Sequence, residues 1–215
     1  MIFALIPAAG KSLRMGRPKL TLPLGGKTVL DHVIAALRRG GVEQILVVIG
    51  PHVPELAPLA EAAGATVLLL QEETPDMRAT IALGLCELEE RVHPTEADAW
   101  LLAPADHPTL VPEIVRKLAE ARSNNPGFSI FVPTFLGKRG HPTLLSWKHA
   151  LNIKTTPPKG GLNAYLRDHP SATLEVPVTS AEILCDLDTP EDYERLQKRW
   201  GSLGMGSPRQ VAERG

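Results

Sequence analysis

Four cations fall within nine residues near the start of the chain: Lys11, Arg14, Arg17 and Lys19, in the stretch PAAGKSLRMGRPKL. The residues ahead of them, Ala8, Ala9 and Gly10, are small. Backbone N–H groups in such a turn can approach a ligand closely, and converging cations neutralise a polyphosphate. Ser12 adds a hydroxyl. A solvated basic loop is the other reading of these charges. Two familiar phosphate motifs do not fit. A dinucleotide turn needs G-x-G-x-x-G, but positions 12 and 13 are Ser and Leu. A P-loop needs G-x-x-x-x-G-K-[ST]; Gly26–Lys27–Thr28 supplies the end, but position 21 is Thr.

Carboxylates stand in two other places. Asp106 follows the apolar run Trp100–Ala103 in LLAPADHP, where it serves equally as a metal ligand or as a turn or capping residue. Asp186 and Asp188 flank Leu187, so on a strand both face one side. Thr189 is the better N-cap for a helix opening Thr189–Pro190–Glu191–Asp192, which leaves those aspartates free. Of seven histidines, only His107 and His141 lie in segments that could carry chemistry. Neither has a second His or Cys at ligand spacing, which argues against a zinc site. His141 reads as a hydrogen-bond donor to a bound phosphate or ring, or as a loop residue packed on Pro142. His32, His52, His93, His149 and His169 read as surface or turn residues.

The elements that must position these groups alternate. Ile2–Ile6, Ile45–Ile49, Thr66–Leu70, Trp100–Ala103 and Ser129–Val132 read as strands apolar on both faces. Between them, helices are expected around 29–37, with Thr28 as N-cap and Gly40–Gly41 as stop, at 56–63 and 81–92, and from 114 to a point before Asn124–Gly127. Such a β-α rhythm predicts an α/β fold, a mostly parallel Rossmann-like sheet covered by helices on both faces in three layers. Later, Thr143–Leu145, Leu174–Val178 and Ile183–Leu187 read as strands, and 163–167 and 191–200 as helices. Ligands of open parallel sheets lie outside the carboxyl ends of the strands, where the small-residue turn, Asp106 and the Asp186–Asp188 region all fall.

With these segments in hand, the chain resembles the MobA-like nucleotidyltransferases. Their loop A-A-G-x-S-x-R-M-G-x-x-K is matched at Ala8, Ala9, Gly10, Ser12, Arg14, Met15, Gly16 and Lys19. LLAPADHP, GKRGHP and CDLDTPEDY agree with the cytidylyl branch of the family, the molybdenum cofactor cytidylyltransferases, which typically carry A-D-Q-P, R-G-H-P and D-[IV]-D-T-P-E-D. Ala9 before Gly10 and Ala105 before Asp106 favour that branch over the guanylyl one. The chain departs from the pattern twice. PDMRATIALGL stands where G-M-[AS]-x-S-[LI] is usual, and TTPPKGGLNAYLRDHP lacks the acid of G-D-x-G-[AL]-R.

The resemblance implies a nucleotide-diphospho-sugar transferase type of fold and transfer of CMP from CTP to the phosphate of molybdopterin cofactor, with Mg²⁺ and release of pyrophosphate. Ala8, Ala9, Gly10, Lys11, Ser12, Arg14 and Lys19 are then expected at the nucleotide, and Asp76 near the base. Arg14 would hold the β- and γ-phosphates, and Lys19 the α-phosphate. Asp106 and Asp188 would hold the metal, with Asp186 in reserve for the second position. Gly140, His141 and Asp188 are expected on the acceptor side, and Gly160, Gly161 and Asn163 could line that site or merely turn the chain. The methyl of Ala9 is expected to narrow the base pocket in favour of a pyrimidine. Alternatives are a sugar phosphate or other phosphorylated acceptor, or a non-catalytic nucleotide-binding or cofactor-chaperone module.

Composition limits the partners. Lys+Arg 23 against Asp+Glu 24 excludes nucleic-acid binding by bulk charge. No apolar run or basic leader suggests a membrane or an export signal, so a cytoplasmic protein is expected, with transient contact to an acceptor apoenzyme conceivable. Cys86 and Cys185 are expected in the core. Residues 1–200 read as one domain and 201–215, rich in Gly and Ser, as a disordered tail.

Overall fold

The computed structural model describes residues 1–155 and 161–202. The expected tail and Gly160 lie outside the described residues. An eight-stranded sheet forms the middle layer. β1 (Ile2–Ala8) runs at its centre, parallel to β4 (Gln44–Ile49) on one side and β6 (Ala99–Leu102) on the other. β5 (Thr66–Leu69) extends the sheet beyond β4. On the far side, β9 (Thr143–Ser146) runs antiparallel between β6 and β7 (Ile130–Phe135), and β10 (Thr173–Pro177) lies parallel to β7. The short β8 (Lys138–Arg139) folds back on β7 as a hairpin. A separate ribbon, β2 (Pro23–Leu24) and β3 (Lys27–Thr28), turns through Gly25 and Gly26, both at positive φ.

The strands are apolar on both faces because each face has its own core. Ala4, Ile6 and Ala8 of β1 enter one cluster, and Phe3 and Leu5 the other. The first cluster takes residues from α1 (Val29–Arg39), α2 (Leu56–Ala62), α4 (Pro112–Asn124) and α7 (Pro190–Ser202). The second takes them from α3 (Met77–Val92), α5 (Lys148–Thr155) and α6 (Gly161–Asp168). This is the three-layer, mostly parallel architecture read from the alternation. Thr28 caps α1 in a capping box with Asp31. Among the described residues no helix is long and apolar enough to cross a membrane.

Four expectations are corrected. Ile183–Leu187 is not a strand: Ala181–Leu184 is a 3-10 turn, and the chain beyond it is irregular. Its backbone is tied to loops instead, the Ile183 carbonyl accepting from His141 N–H and Leu187 N–H donating to the Asp106 carbonyl, both at 2.9 Å. Helix α5 was not expected; its buried Ala150 and Ile153, following Trp147, recur every third residue over a segment too short for a clear periodic signal. Cys86 is exposed, lying off the buried face of α3, and Cys185 is half-buried in the irregular chain just beyond the 3-10 turn. His149 is buried, where it was expected at the surface, and its ring finds partners inside.

Candidate active site

The loop after β1 is held by its apolar residues, which frees its polar ones. Met15, Leu20 and Leu22 are buried in the first cluster. Between them the chain makes two short 3-10 turns, Leu13–Met15 and Lys19–Thr21. Ser12 sits at φ 51 and Gly16 at φ 66, and Ser12 Oγ accepts from the Lys19 backbone N–H at 3.4 Å. A Cβ built on Gly10 would touch nothing within 4 Å, so the backbone there opens onto free space and not onto packed protein. That is the cradle a phosphate requires.

The four cations of the loop separate into two kinds. Lys11 pairs with Glu73 at 2.8 Å, and Arg17 lies over the Tyr193 ring at 5.4 Å. Lys19 and Arg14 turn toward carboxylates from distant segments, Lys19 enclosed and Arg14 exposed. Lys19 Nζ donates to Asp106 Oδ2 at 2.7 Å and to Asp188 Oδ1 at 2.8 Å; Arg14 donates to Asp188 Oδ2 at 2.7 Å. The fold thus brings residues from three distant segments to one ammonium. Burial alone would lower the Lys19 pKa, but the Asp106 and Asp188 carboxylates outweigh it and raise it. The hydrogen bond from Lys19 in turn lowers the Asp188 pKa. Thr189 caps α7 as expected, exchanging hydrogen bonds with Asp192, and this leaves the Asp188 carboxylate to face Lys19. Asp186 is exposed and has no part in this cluster of contacts.

A cavity of about 480 Å³ lies over this cluster, lined among others by Ala8, Gly10, Lys11, Ser12, Arg14 and Lys19. Two expected nucleotide residues are not in its wall. Ala9 is partly buried against the second core cluster, with its backbone beside Gly50. The steric argument for a pyrimidine, which needs that methyl on the pocket surface, therefore loses its footing. Asp76 is the N-cap of α3, its Oδ1 accepting from Ala79 N–H at 2.8 Å. The departure of PDMRAT from the family pattern thus supplies a helix cap.

A second cavity, of about 630 Å³, adjoins the first and shares Pro7, Met77 and Pro104 with it. Gly140, His141 and Asn163 line it; so do Arg139, Tyr165 and Arg167, which the sequence did not single out. Asp188 lies in the wall of the first cavity only. A Cβ on Gly140 would come within 2.3 Å of the Ile183 carbonyl oxygen, so glycine is needed there for close backbone approach. The His107 and His141 rings meet edge to face at 5.2 Å, although they are far apart in sequence. Burial lowers both pKa values, that of His141 to about 4, so both are neutral near pH 7. His107 Nε2 is 3.9 Å from Asp106 Oδ1. Among the described residues no three His, Cys, Asp or Glu side chains converge on one metal position. Asp106 and Asp188 alone could share a cation. That donor set suits a hard ion completed by phosphate oxygens and water, the habit of Mg²⁺.

Comparison with known proteins agrees with the geometry. The profile of the MobA-like NTP transferase domain matches residues 4–173. The chain is 29% identical to the molybdenum cofactor cytidylyltransferase of Escherichia coli K12, over 94% of this chain and 98% of that protein. It is 32% identical to a molybdenum cofactor guanylyltransferase of Mesorhizobium japonicum, over 68% and 66% of the two chains. The crystal structure of Rv0371c from Mycobacterium tuberculosis H37Rv superposes with a TM-score of 0.77 at 26% identity, covering 92% and 98%.

Proposed function

The chain belongs to the MobA-like NTP transferase family and is a nucleotidyltransferase, and from that premise we propose that it moves CMP from CTP onto the phosphate of a molybdopterin-type cofactor. The observation that carries the reading is the Lys19 ammonium held between Asp106 and Asp188 in the wall of the first cavity, which the cationic loop lines and which adjoins the second cavity at Pro7, Met77 and Pro104.

In the proposed reaction the triphosphate lies along the turn Ala8–Gly10, and Arg14 and Lys19 neutralise it. An oxygen of the acceptor phosphate attacks the α-phosphorus in line. A new P–O bond forms, the bond to the β-phosphate oxygen breaks, and its electron pair leaves with pyrophosphate. Lys19 is the better placed of the two cations to follow charge developing at the α-phosphate, being the more enclosed. Asp106 and Asp188 would hold a divalent cation, Mg²⁺ for preference. Bound there, such an ion neutralises phosphate charge and helps orient the triphosphate. No general base is required, because a phosphomonoester oxygen is already anionic near neutral pH. Catalysis is then a matter of positioning and electrostatics.

Cytosine is supported by the family features Ala9, before Gly10, and Ala105, before Asp106, and by the cytidylyltransferase relative. The acceptor assignment is supported by the second cavity. Met77, Ile81, Leu102, Val132, Ile153 and Leu166 give it an apolar wall. That wall suits the faces of a planar heterocycle, while Arg78, Arg139, His141, Asn163, Arg167 and Asp168 in the same lining offer polar partners to its edges and its phosphate. Pyrophosphate release measured with CTP, GTP, ATP and UTP tests the reading, each run with a pterin phosphate and with a sugar phosphate. CTP with the pterin is the expected pair; preference for GTP overturns the base, and preference for the sugar overturns the acceptor.

A further inference from the structure

Behind the second cavity lies a buried polar chain that the proposed chemistry does not use. His149, on α5, is 5% exposed. Its Nδ1 lies 2.7 Å from the Tyr165 hydroxyl and its Nε2 2.9 Å from Ser129 Oγ. Burial keeps the imidazole neutral, with a pKa of about 4, so one nitrogen donates, the other accepts, and either tautomer satisfies both contacts. The Tyr165 ring is also stacked on His169, with centroids 4.1 Å apart and planes 28° from parallel. His169 is fixed in turn, its Nδ1 lying 2.8 Å from the Tyr165 carbonyl. Tyr165 is therefore locked at its hydroxyl and on one face of its ring. Tyr165 is among the residues that line the cavity, and among the described residues its ring is the one six-membered aromatic ring there.

A buried hydrogen-bond chain costs stability unless it is complete, and this one is complete. What it fixes is an aromatic surface in the wall of a binding cavity, the arrangement by which a planar ring is recognised at low entropic cost. The geometry points to Tyr165 as the stacking platform that selects a planar heterocyclic acceptor, with His149 as the positioning residue that holds it. This inference rests on the acceptor reading above and gives it a specific residue. Stacking on an aromatic side chain gives nothing to an open-chain phosphate, so the platform acts on choice of acceptor; it lines the second cavity and not the first, where the proposed reaction places CTP.

The test compares two probes on the full chain: a pterin bearing a phosphomonoester, followed by quenching of pterin fluorescence, and glycerol 3-phosphate, followed by calorimetry. CTP affinity, read at the separate first cavity, reports that each variant is folded. Tyr165→Leu is expected to lose pterin-phosphate affinity by about tenfold or more, with little change for glycerol 3-phosphate. Tyr165→Phe keeps the ring and should recover most of the loss. His149→Gln should raise the acceptor KM while kcat at saturating acceptor stays near the wild-type value. Equal losses for the two probes in Tyr165→Leu, or no loss for either, overturn the platform and leave the acceptor reading standing. A wild-type protein that binds glycerol 3-phosphate as well as the pterin phosphate overturns both.

Discussion

At the scale of single residues, the account turns on Lys19 and its two carboxylates. Asp106→Asn keeps size and hydrogen bonding but removes the charge that would hold a cation. Transfer is expected to fall by well over tenfold with the circular-dichroism spectrum unchanged; retention of more than about a tenth of turnover, only ~1.4 kcal/mol of barrier, would exclude Asp106 as principal ligand. Lys19 has two consequences. Lys19→Ala should lower turnover more than it weakens nucleotide binding, since its charge is needed most as the α-phosphate reacts. Arg14→Ala, at a side chain 77% exposed, should mainly raise the apparent CTP constant. The ammonium also competes with a metal ion for the oxygens of Asp106 and Asp188. Lys19→Ala leaves those like charges side by side, so Mn²⁺ titrated without nucleotide should bind several-fold tighter. Unchanged Mn²⁺ affinity would mean that the two aspartates do not share an ion.

At the scale of elements, glycine at 140 is the sharpest constraint on the acceptor side. Its backbone passes against Ile183, and the neighbouring His141 N–H donates to the Ile183 carbonyl. Gly140→Ala must push the two segments apart, so steady-state kinetics should give a raised acceptor KM with CTP affinity intact; equal effects on both substrates would place Gly140 in the shared scaffold. The central β-α units were legible because strands buried on two faces and helices with caps write strong periodic signals, as Ile2–Ala8 and Thr28–Arg39 do. The stretch 181–188 was not, because Ile183 and Leu187 alternate like a strand while their backbones bond to the loops at His141 and Asp106. Of the candidate site, the Ala8–Lys19 loop could be read from residue type and place, whereas Asp106 and Asp188 were singled out through the family resemblance. Tyr165 and His149 could not, since nothing local says that α5 and α6 close over a cavity. Ala9 and Asp76 were misplaced for a related reason: a small residue beside a ligand loop can face the core, and an aspartate can spend itself on a helix N-terminus.

At the scale of the molecule, the two cores divide the labour. The cluster packed by α1, α2, α4 and α7 anchors the loop proposed to hold the nucleotide through Met15 and Leu20, and the one packed by α3, α5 and α6 walls the cavity proposed for the acceptor. The second side carries a pH signature. His149 is neutral in the fold down to about pH 4, while the unfolded chain takes up its proton near 6.5. Its contribution is fully present above pH 6.5 and is lost as pH falls from 6.5 toward 4, at up to ~1.4 kcal/mol per pH unit. Urea unfolding of His149→Gln should have a flatter pH dependence across that window; the same slope as the wild type would contradict it. The central claim, however, concerns which phosphorus moves. CTP labelled at the α-phosphate in one sample and at the γ-phosphate in another, incubated with metal and a pterin phosphate, tests it most directly. The account predicts α-label in the acceptor and γ-label in pyrophosphate, both lost in Asp106→Asn. Transfer of the γ-label to the acceptor, or release of single phosphate without the acceptor, would contradict it.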